Sequence, residues 1–148
     1  MSDQLAVLPQ YLMPKQAMTR LAGRMASAQW GGFTTWVIKR FVKRYQVNMA
    51  EAVHEDPAHY KSFNEFFTRP LKDGVRPLAA STWVCPVDGA ISQCGPIDKD
   101  QIFQAKGHQY STRALVGGDA ALAAQFQNGQ FATLYLSPRD YHRIHMPI

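Results

Sequence analysis

The sequence lacks several features that define large classes of protein. It has two cysteines in 148 residues, too few for a disulfide framework. Its apolar stretches fall short of the ~20 residues that a membrane-spanning helix needs. Its glycine pairs lack the spacing of a phosphate-binding loop, which disfavours a nucleotide cofactor. The N-terminus has no basic region followed by an apolar run and a small-residue cleavage site, so we expect a protein retained in the cytoplasm.

What is present is typical of one folded domain with a hydrophobic core. Hydrophobic residues make up 46% and charged residues 18% of the chain, which excludes intrinsic disorder and coiled coil. Residues 1–50 contain seven basic residues and a single acidic one, Asp3. This asymmetry predicts an anionic partner for the N-terminal segment, either nucleic acid or an anionic membrane surface. No basic low-complexity run is present, so nucleic acid is not expected.

The N-terminal third has helical patterning over residues 9–47, interrupted near Gly31 and Gly32. After the interruption, apolar residues recur at spacings of three and four and define one stripe: Trp30, Phe33, Val37, Phe41 and Tyr45. The long stems of Arg40 and Arg44 can cover apolar surface and still reach anionic headgroups. The helix therefore either lies in a membrane interface or packs on its own domain with a solvated basic face. Periodicity alone does not separate these two interpretations.

The remaining sequence changes from helical to strand patterning. Residues 62–67 predict a short helix, and Asp88-Gly89 predicts a tight turn between two strands. A helical stretch is predicted around residues 115–126, followed by a buried strand over residues 131–136.

The predicted fold class is α+β. Amphipathic helices are predicted over residues 1–60. A mainly antiparallel, β-rich domain is predicted over residues 61–148.

The candidate catalytic groups are Asp88, His142 and His145. Histidine is the natural proton carrier near neutral pH, although a hydrogen-bonded structural role is equally open. A zinc site is disfavoured because a spacing of three in an extended segment directs the two rings to opposite faces. Asp88 is either a turn residue or a carboxylate that orients a histidine, as in a triad. A triad also needs a nucleophile, and no serine here lies in an activating Gly-x-Ser-x-Gly motif.

Six blocks of sequence resemble bacterial phosphatidylserine decarboxylase proenzymes in order and spacing. They are Tyr-Leu-Met-Pro-Lys (11–15), Thr-Arg-Leu-Ala-Gly (19–23), Phe-Asn-Glu-Phe-Phe-Thr-Arg-Pro-Leu (63–71), Pro-Val-Asp-Gly-Ala-Ile-Ser (86–92), Gln-Ala-Lys-Gly-His-Gln-Tyr-Ser (104–111) and Tyr-Leu-Ser-Pro-Arg-Asp-Tyr-His-Arg-Ile-His-Met-Pro (135–147).

The resemblance implies a pyruvoyl-dependent carboxy-lyase that converts phosphatidylserine to phosphatidylethanolamine and carbon dioxide. In such proenzymes a serine in a Leu-Gly-Ser-Thr motif cleaves the chain into a β subunit and an α subunit, and the α subunit begins with the pyruvoyl group. By position, Asp88 and His145 match the residues that assist this cleavage. His142 matches the histidine linked to decarboxylation.

The resemblance also implies that residues 1–60 are an N-terminal helical, membrane-associating segment and that residues 61–148 are an incomplete, mainly antiparallel, β-rich catalytic domain. It further implies partners and a location. The partners are phosphatidylserine, an anionic membrane surface and the α subunit of the same proenzyme, and association with further copies of the chain is left open. The location is the cytoplasmic face of the bacterial inner membrane, as a peripheral protein.

The chain contains no Leu-Gly-Ser-Thr, so we expect a β-subunit fragment that is inactive by itself. A non-catalytic lipid-surface binding module and a His-x-x-His metalloprotein are the alternatives.

Overall fold

The structure, a computed structural model, describes residues 14–104 and 108–146. The chain divides after Leu78 into two compact units. Helices dominate the first unit, and all of the strands among the described residues lie in the second. The boundary predicted near residue 60 divides a membrane-associating segment from a catalytic domain. This functional division differs from the division into compact units and stays a prediction.

Two helices form the start of the first unit. Helix α1 spans Lys15–Ser27 and helix α2 spans Gly32–Tyr45, which confirms the predicted helices and the break between them. Gly31 lies in the break with a φ of 56°, a backbone conformation that favours glycine. Helix α2 ends in a left-handed residue, Gln46, and the Val42 carbonyl accepts the next backbone N–H, that of Val47, at 3.1 Å. Residues 9–13 of the predicted stretch lie outside the described residues.

A short helix, α3, spans Phe63–Phe67, as the sequence predicts. Its start is fixed by Ser62, whose Oγ accepts the Glu65 backbone N–H at 3.1 Å. The Glu65 carboxylate in turn accepts the Lys61 N–H at 2.8 Å. This reciprocal pattern satisfies backbone donors at the helix start. Two 3₁₀ turns, Met49–Glu51 and Pro57–His59, connect α2 to α3.

The core of the first unit is built on Ile38, Val47, Tyr60 and Phe66. The buried face of α2 contains Thr34 and Ile38 and is displaced from the predicted apolar stripe. Trp30 and Phe33 of that stripe are 50% and 53% exposed. Thr34 turns inward because its hydroxyl accepts the Trp30 backbone N–H at 3.1 Å, across the helix break. Within the stripe, Val37 and Phe41 are half-buried, whereas Tyr45 at its other end is exposed.

The second unit contains two antiparallel strand pairs. Strand β1 (Ala90–Pro96) pairs with β4 (Gln130–Tyr135), with an irregularity between Ile91 and Gln93. Strand β2 (Gln101–Gln104) pairs with β3 (His108–Ser111). Helices first and antiparallel strands afterwards confirm the predicted α+β class. The predicted strand over residues 131–136 is also confirmed, although its residues are exposed or half-buried rather than buried.

The predicted turn at Asp88-Gly89 is wrong. Among the described residues no strand precedes Asp88, and β1 begins only at Ala90 and pairs with the distant β4. A Cβ at Gly89 would lie 3.0 Å from the Tyr135 carbonyl oxygen, so the glycine permits close backbone approach and not a hairpin turn.

The helical stretch predicted around residues 115–126 is confirmed only in part, because it is interrupted. The structure has two short helices, α4 (Thr112–Leu115) and α5 (Ala120–Ala124). They are separated by Gly117 and Gly118, whose φ values of 75° and 93° end the first helix.

Candidate active site

Asp88 lies in the bend that leads into β1. Its side chain is half-buried. The Cys85 thiol donates to the Val87 carbonyl, with 3.1 Å between sulfur and oxygen. On the other side, Gly89 packs against the Tyr135 backbone. Asp88 is therefore held beside the end of β4.

A closed turn follows β4 and precedes both histidines. Ser137, Pro138, Arg139 and Asp140 occupy its four positions, and the Asp140 N–H donates to the Ser137 carbonyl at 2.9 Å. Proline fits the second position of such a turn because its φ is already fixed near the required value. The Asp140 carboxylate accepts the Ser137 N–H, so the turn is closed in both directions. The guanidinium of Arg139 lies 3.9 Å from the other carboxylate oxygen, a long and exposed contact that contributes little.

The turn fixes the ring of His142. The half-buried His142 contacts the Asp140 carbonyl oxygen through Nδ1 at 2.9 Å. A carbonyl only accepts hydrogen bonds, so Nδ1 carries the hydrogen and Nε2 carries the lone pair in the neutral ring. The Asp140 carbonyl thereby fixes the tautomer and the orientation of the His142 ring.

His145 is fixed by its backbone and by a neighbouring ring. Its N–H donates to the Pro86 carbonyl at 2.9 Å. Its ring stacks on Tyr141, with centroids 5.6 Å apart and planes at 18°. The Tyr141 hydroxyl lies 3.2 Å from Nε2 of His145. The His145 ring is exposed, which leaves it open to a further group.

The three predicted residues therefore lie on two adjacent segments. The bond from His145 to Pro86 joins the histidine segment to the segment that carries Asp88. The two imidazoles have different partners, Asp140 and Tyr141. Because Nε2 of His145 faces Tyr141, that nitrogen does not form the acid–histidine pairing of a triad. The arrangement brings together the segment of two oriented imidazole rings and the segment that carries Asp88.

Two features of the site go beyond the sequence interpretation. Asp140 closes the turn and fixes His142 through its carbonyl, and Tyr141 orients His145. A Ser-Pro-x-Asp pattern after a strand is a turn signal that predicts the first of these roles. Across residues 14–104 and 108–146, no group of three or more His, Cys, Asp or Glu side chains is placed to hold a metal ion.

Comparison with known proteins identifies relatives along almost the whole chain. Residues 63–148 match the family model described as phosphatidylserine decarboxylase, and residues 5–46 match a model described as PSD. The chain is 75% identical to a phosphatidylserine decarboxylase proenzyme of Dechloromonas aromatica, 71% to one of Delftia acidovorans and 70% to one of Acidovorax ebreus. Each match covers 99% of this chain and 52% of the relative.

The chain thus spans about half the length of the curated relatives it matches. The matched residues include Asp88, His142 and His145 together with the turn and strands that position them. The chain belongs to the phosphatidylserine decarboxylase family.

Proposed function

We propose that the chain acts as part of a phosphatidylserine decarboxylase, which converts phosphatidylserine to phosphatidylethanolamine and carbon dioxide. The observation that carries this proposal is the backbone bond between His145 and Pro86, which places the histidine segment beside the segment of Asp88. A protein that only adsorbs to lipid has no need to combine a carboxylate with two oriented imidazoles.

In this proposal Asp88 and His145 assist cleavage of the proenzyme. The exposed ring of His145 accepts a proton from a serine hydroxyl that the rest of the proenzyme supplies. Tyr141 holds the ring plane through stacking and through its hydroxyl. Asp88, two residues after the Pro86 carbonyl that holds the His145 backbone, supplies negative charge that lowers the cost of the imidazolium.

His142 has a different task in the proposal. The Asp140 carbonyl holds its Nδ1, so the ring exchanges protons through Nε2 with a fixed orientation. Decarboxylation leaves a carbon that must be protonated, and histidine is a suitable acid at neutral pH. His142 therefore supplies or guides this proton.

The proposed cofactor is a covalent pyruvoyl group on the α subunit. Its carbonyl would supply a binding site for the substrate amine and an electron sink for decarboxylation. The residues present fit such a group. Ser137 Oγ is buried and has no hydrogen-bond partner among the described residues, and a buried hydroxyl of this kind is normally paired. Together with His142 it offers hydrogen-bonding groups for a carbonyl or carboxylate.

The proposed location is the cytoplasmic face of the inner membrane, as a peripheral protein. Residues 4–50 contain no acidic residue, so this segment attracts anionic lipid. The aromatic rings of Trp30, Phe33 and Trp36 form a consecutive, exposed series with centroids 5.7 Å apart at each step. Within the described residues, no helix is long and apolar enough to cross a bilayer. Exposed aromatic rings beside cations are typical of binding at a membrane interface.

The proposal is tested by producing the chain together with its native downstream sequence and measuring intact mass and phosphatidylserine decarboxylation. We expect two products and a blocked N-terminus on the smaller one. Asp88→Asn and His145→Ala should each slow cleavage at least ~100-fold. His142→Ala should still cleave but should lose decarboxylation. His59→Asn, which removes a histidine from the first unit, is the matched control. It should neither slow cleavage nor reduce decarboxylation.

An uncleaved and inactive product that binds vesicles would refute the enzyme proposal in favour of a lipid-binding module. Equal effects of the His59 and His145 variants would refute the assigned roles. The 148-residue chain alone should neither cleave nor decarboxylate, because it has no Leu-Gly-Ser-Thr serine.

A further inference from the structure

The C-terminal half of helix α2 carries a groove of about 640 Å³ on the surface of the first unit. Three cationic and three aromatic side chains line it: Arg40, Lys43, Arg44, Trp36, Phe41 and Tyr45. The sequence explains this composition, because residues four apart share a face of a helix. Trp36, Arg40 and Arg44 follow one another at this spacing, as do Phe41 and Tyr45.

Among residues 14–104 and 108–146, none of Arg40, Lys43 and Arg44 forms a salt bridge. Like charges four residues apart destabilise an isolated helix. Their position in the last turns of α2 offsets part of this cost, since the helix C-terminus favours cations. An anion bound between these cations would remove the remaining cost.

The groove is also shaped for one kind of anion. Arg44 lies over the ring of Tyr45, with 5.7 Å between its Cζ and the ring centroid, which restricts the guanidinium. Guanidinium groups bind phosphate oxygens in pairs of hydrogen bonds. Trp36 is 58% exposed at the edge of the groove and offers apolar surface next to the cations. A phosphate with an attached apolar group matches both parts.

We propose that this groove binds the phosphate of one anionic phospholipid, which acts as a bound ligand of α2 and not as the substrate. The inference rests on the proposed membrane association, and it does not depend on the proposed chemistry. Arg40, Lys43 and Arg44 contact the phosphate, while Trp36 and Phe41 contact the glycerol and the first part of the acyl chains.

The test uses the 148-residue chain and phosphatidylcholine vesicles with or without phosphatidylglycerol, which is anionic but lacks the serine headgroup. The groove variant is Arg40→Gln/Arg44→Gln. The matched control is Arg20→Gln/Lys39→Gln, which removes the same charge from the same acid-free segment without altering the groove. Unchanged circular dichroism confirms that both variants are folded.

Diffuse attraction falls roughly fivefold for each cation removed near an anionic surface, so both variants should lose up to roughly 25-fold in binding. We expect the groove variant to lose at least ~10-fold more than the control, because it also loses the guanidinium–phosphate hydrogen bonds. In a Trp30→Phe/Trp83→Phe background, Trp36 fluorescence should shift to shorter wavelength and saturate at one anionic lipid per chain.

Equal losses in the two variants would overturn the proposed site and leave diffuse membrane attraction intact. A wild-type chain that binds both kinds of vesicle equally would overturn the anionic-lipid proposal together with this site, whereas the decarboxylation assay would be unaffected. If inorganic phosphate shifts Trp36 fluorescence as strongly as the vesicles do, the ligand is soluble phosphate and the lipid assignment is wrong.

Discussion

Removing the Asp140 carboxylate should release the turn that positions His142. In the Asp140→Ala variant the part-buried Ser137 N–H loses its charged acceptor. A hydrogen bond to a charged group contributes about 1.5–3 kcal/mol, so we expect the free energy of unfolding to fall by about 2 kcal/mol. Asp140→Asn keeps an acceptor oxygen and loses only the charge, so its loss should be about 1 kcal/mol.

The same variant separates a positioning role from a merely structural one. The carbonyl that holds Nδ1 of His142 belongs to the backbone of Asp140 and remains in the alanine variant, but the turn no longer fixes its direction. We therefore expect a smaller fraction of His142 with the hydrogen on Nδ1, measured from the ¹⁵N chemical shifts of the ring. Unfolding in urea gives the change in stability.

Asp119→Ala is the matched control for this experiment. Asp119 also accepts backbone N–H groups, at 2.9 and 3.0 Å from Ala121 and Leu122, where it caps helix α5. Its loss should cost about 1 kcal/mol and leave His142 unchanged. A His142 tautomer that is the same in Asp140→Ala as in the wild type would refute the positioning role.

Three further predictions concern stability. Phe66→Ala should lower the free energy of unfolding by about 3–5 kcal/mol, because the ring is fully buried, and a loss below ~1 kcal/mol in chemical denaturation would contradict this core. Burial raises the pKa of Tyr60 above its usual 10.0, helped by Glu65 and opposed by Arg69. The unfolded state therefore loses this proton first, so stability should fall as pH rises above about 10, and a Tyr60→Phe variant with the same slope would count against it. Gly89→Ala should lower the free energy of unfolding by about 1–3 kcal/mol, because the added methyl group would contact the Tyr135 carbonyl. Gly23→Ala is the control and should not destabilise the protein, because its added methyl group meets no atom within 4 Å. Equal Tm values for the two variants would contradict the close approach at Gly89.

Local signals in the sequence predicted local structure well. Ser62 and Glu65 sit three residues apart before an aromatic run, and this pattern marks the start of α3 because both groups act on the adjacent backbone. Gly31 likewise marks the break between α1 and α2. Such features depend only on neighbours in the chain, so the sequence contains all of the information that they need.

Features that depend on contacts between distant parts of the chain were not predicted from the sequence. Asp88-Gly89 has the composition of a hairpin turn. The position of Gly89 instead requires a small residue because the backbone of β4, distant in sequence, lies against it. Similarly, periodicity grouped Trp30 and Phe33 with Phe41 but did not show which of them the core would cover. Residue chemistry singled out Asp88, His142 and His145 as candidates, and the resemblance assigned their roles. The backbone bond between His145 and Pro86, which brings their segments together, has no local signature.

The pairing of β1 with β4 also determines the order in which the chain can fold. The core of the first unit draws on residues 38–66, so it is complete in sequence long before the ribosome has made the partner of β1. Closing the long loop between β1 and β4 costs entropy before any pairing energy is gained, which slows this step further. Because domains fold as units during synthesis, we expect the basic helices to be folded before His142 and His145 have been translated.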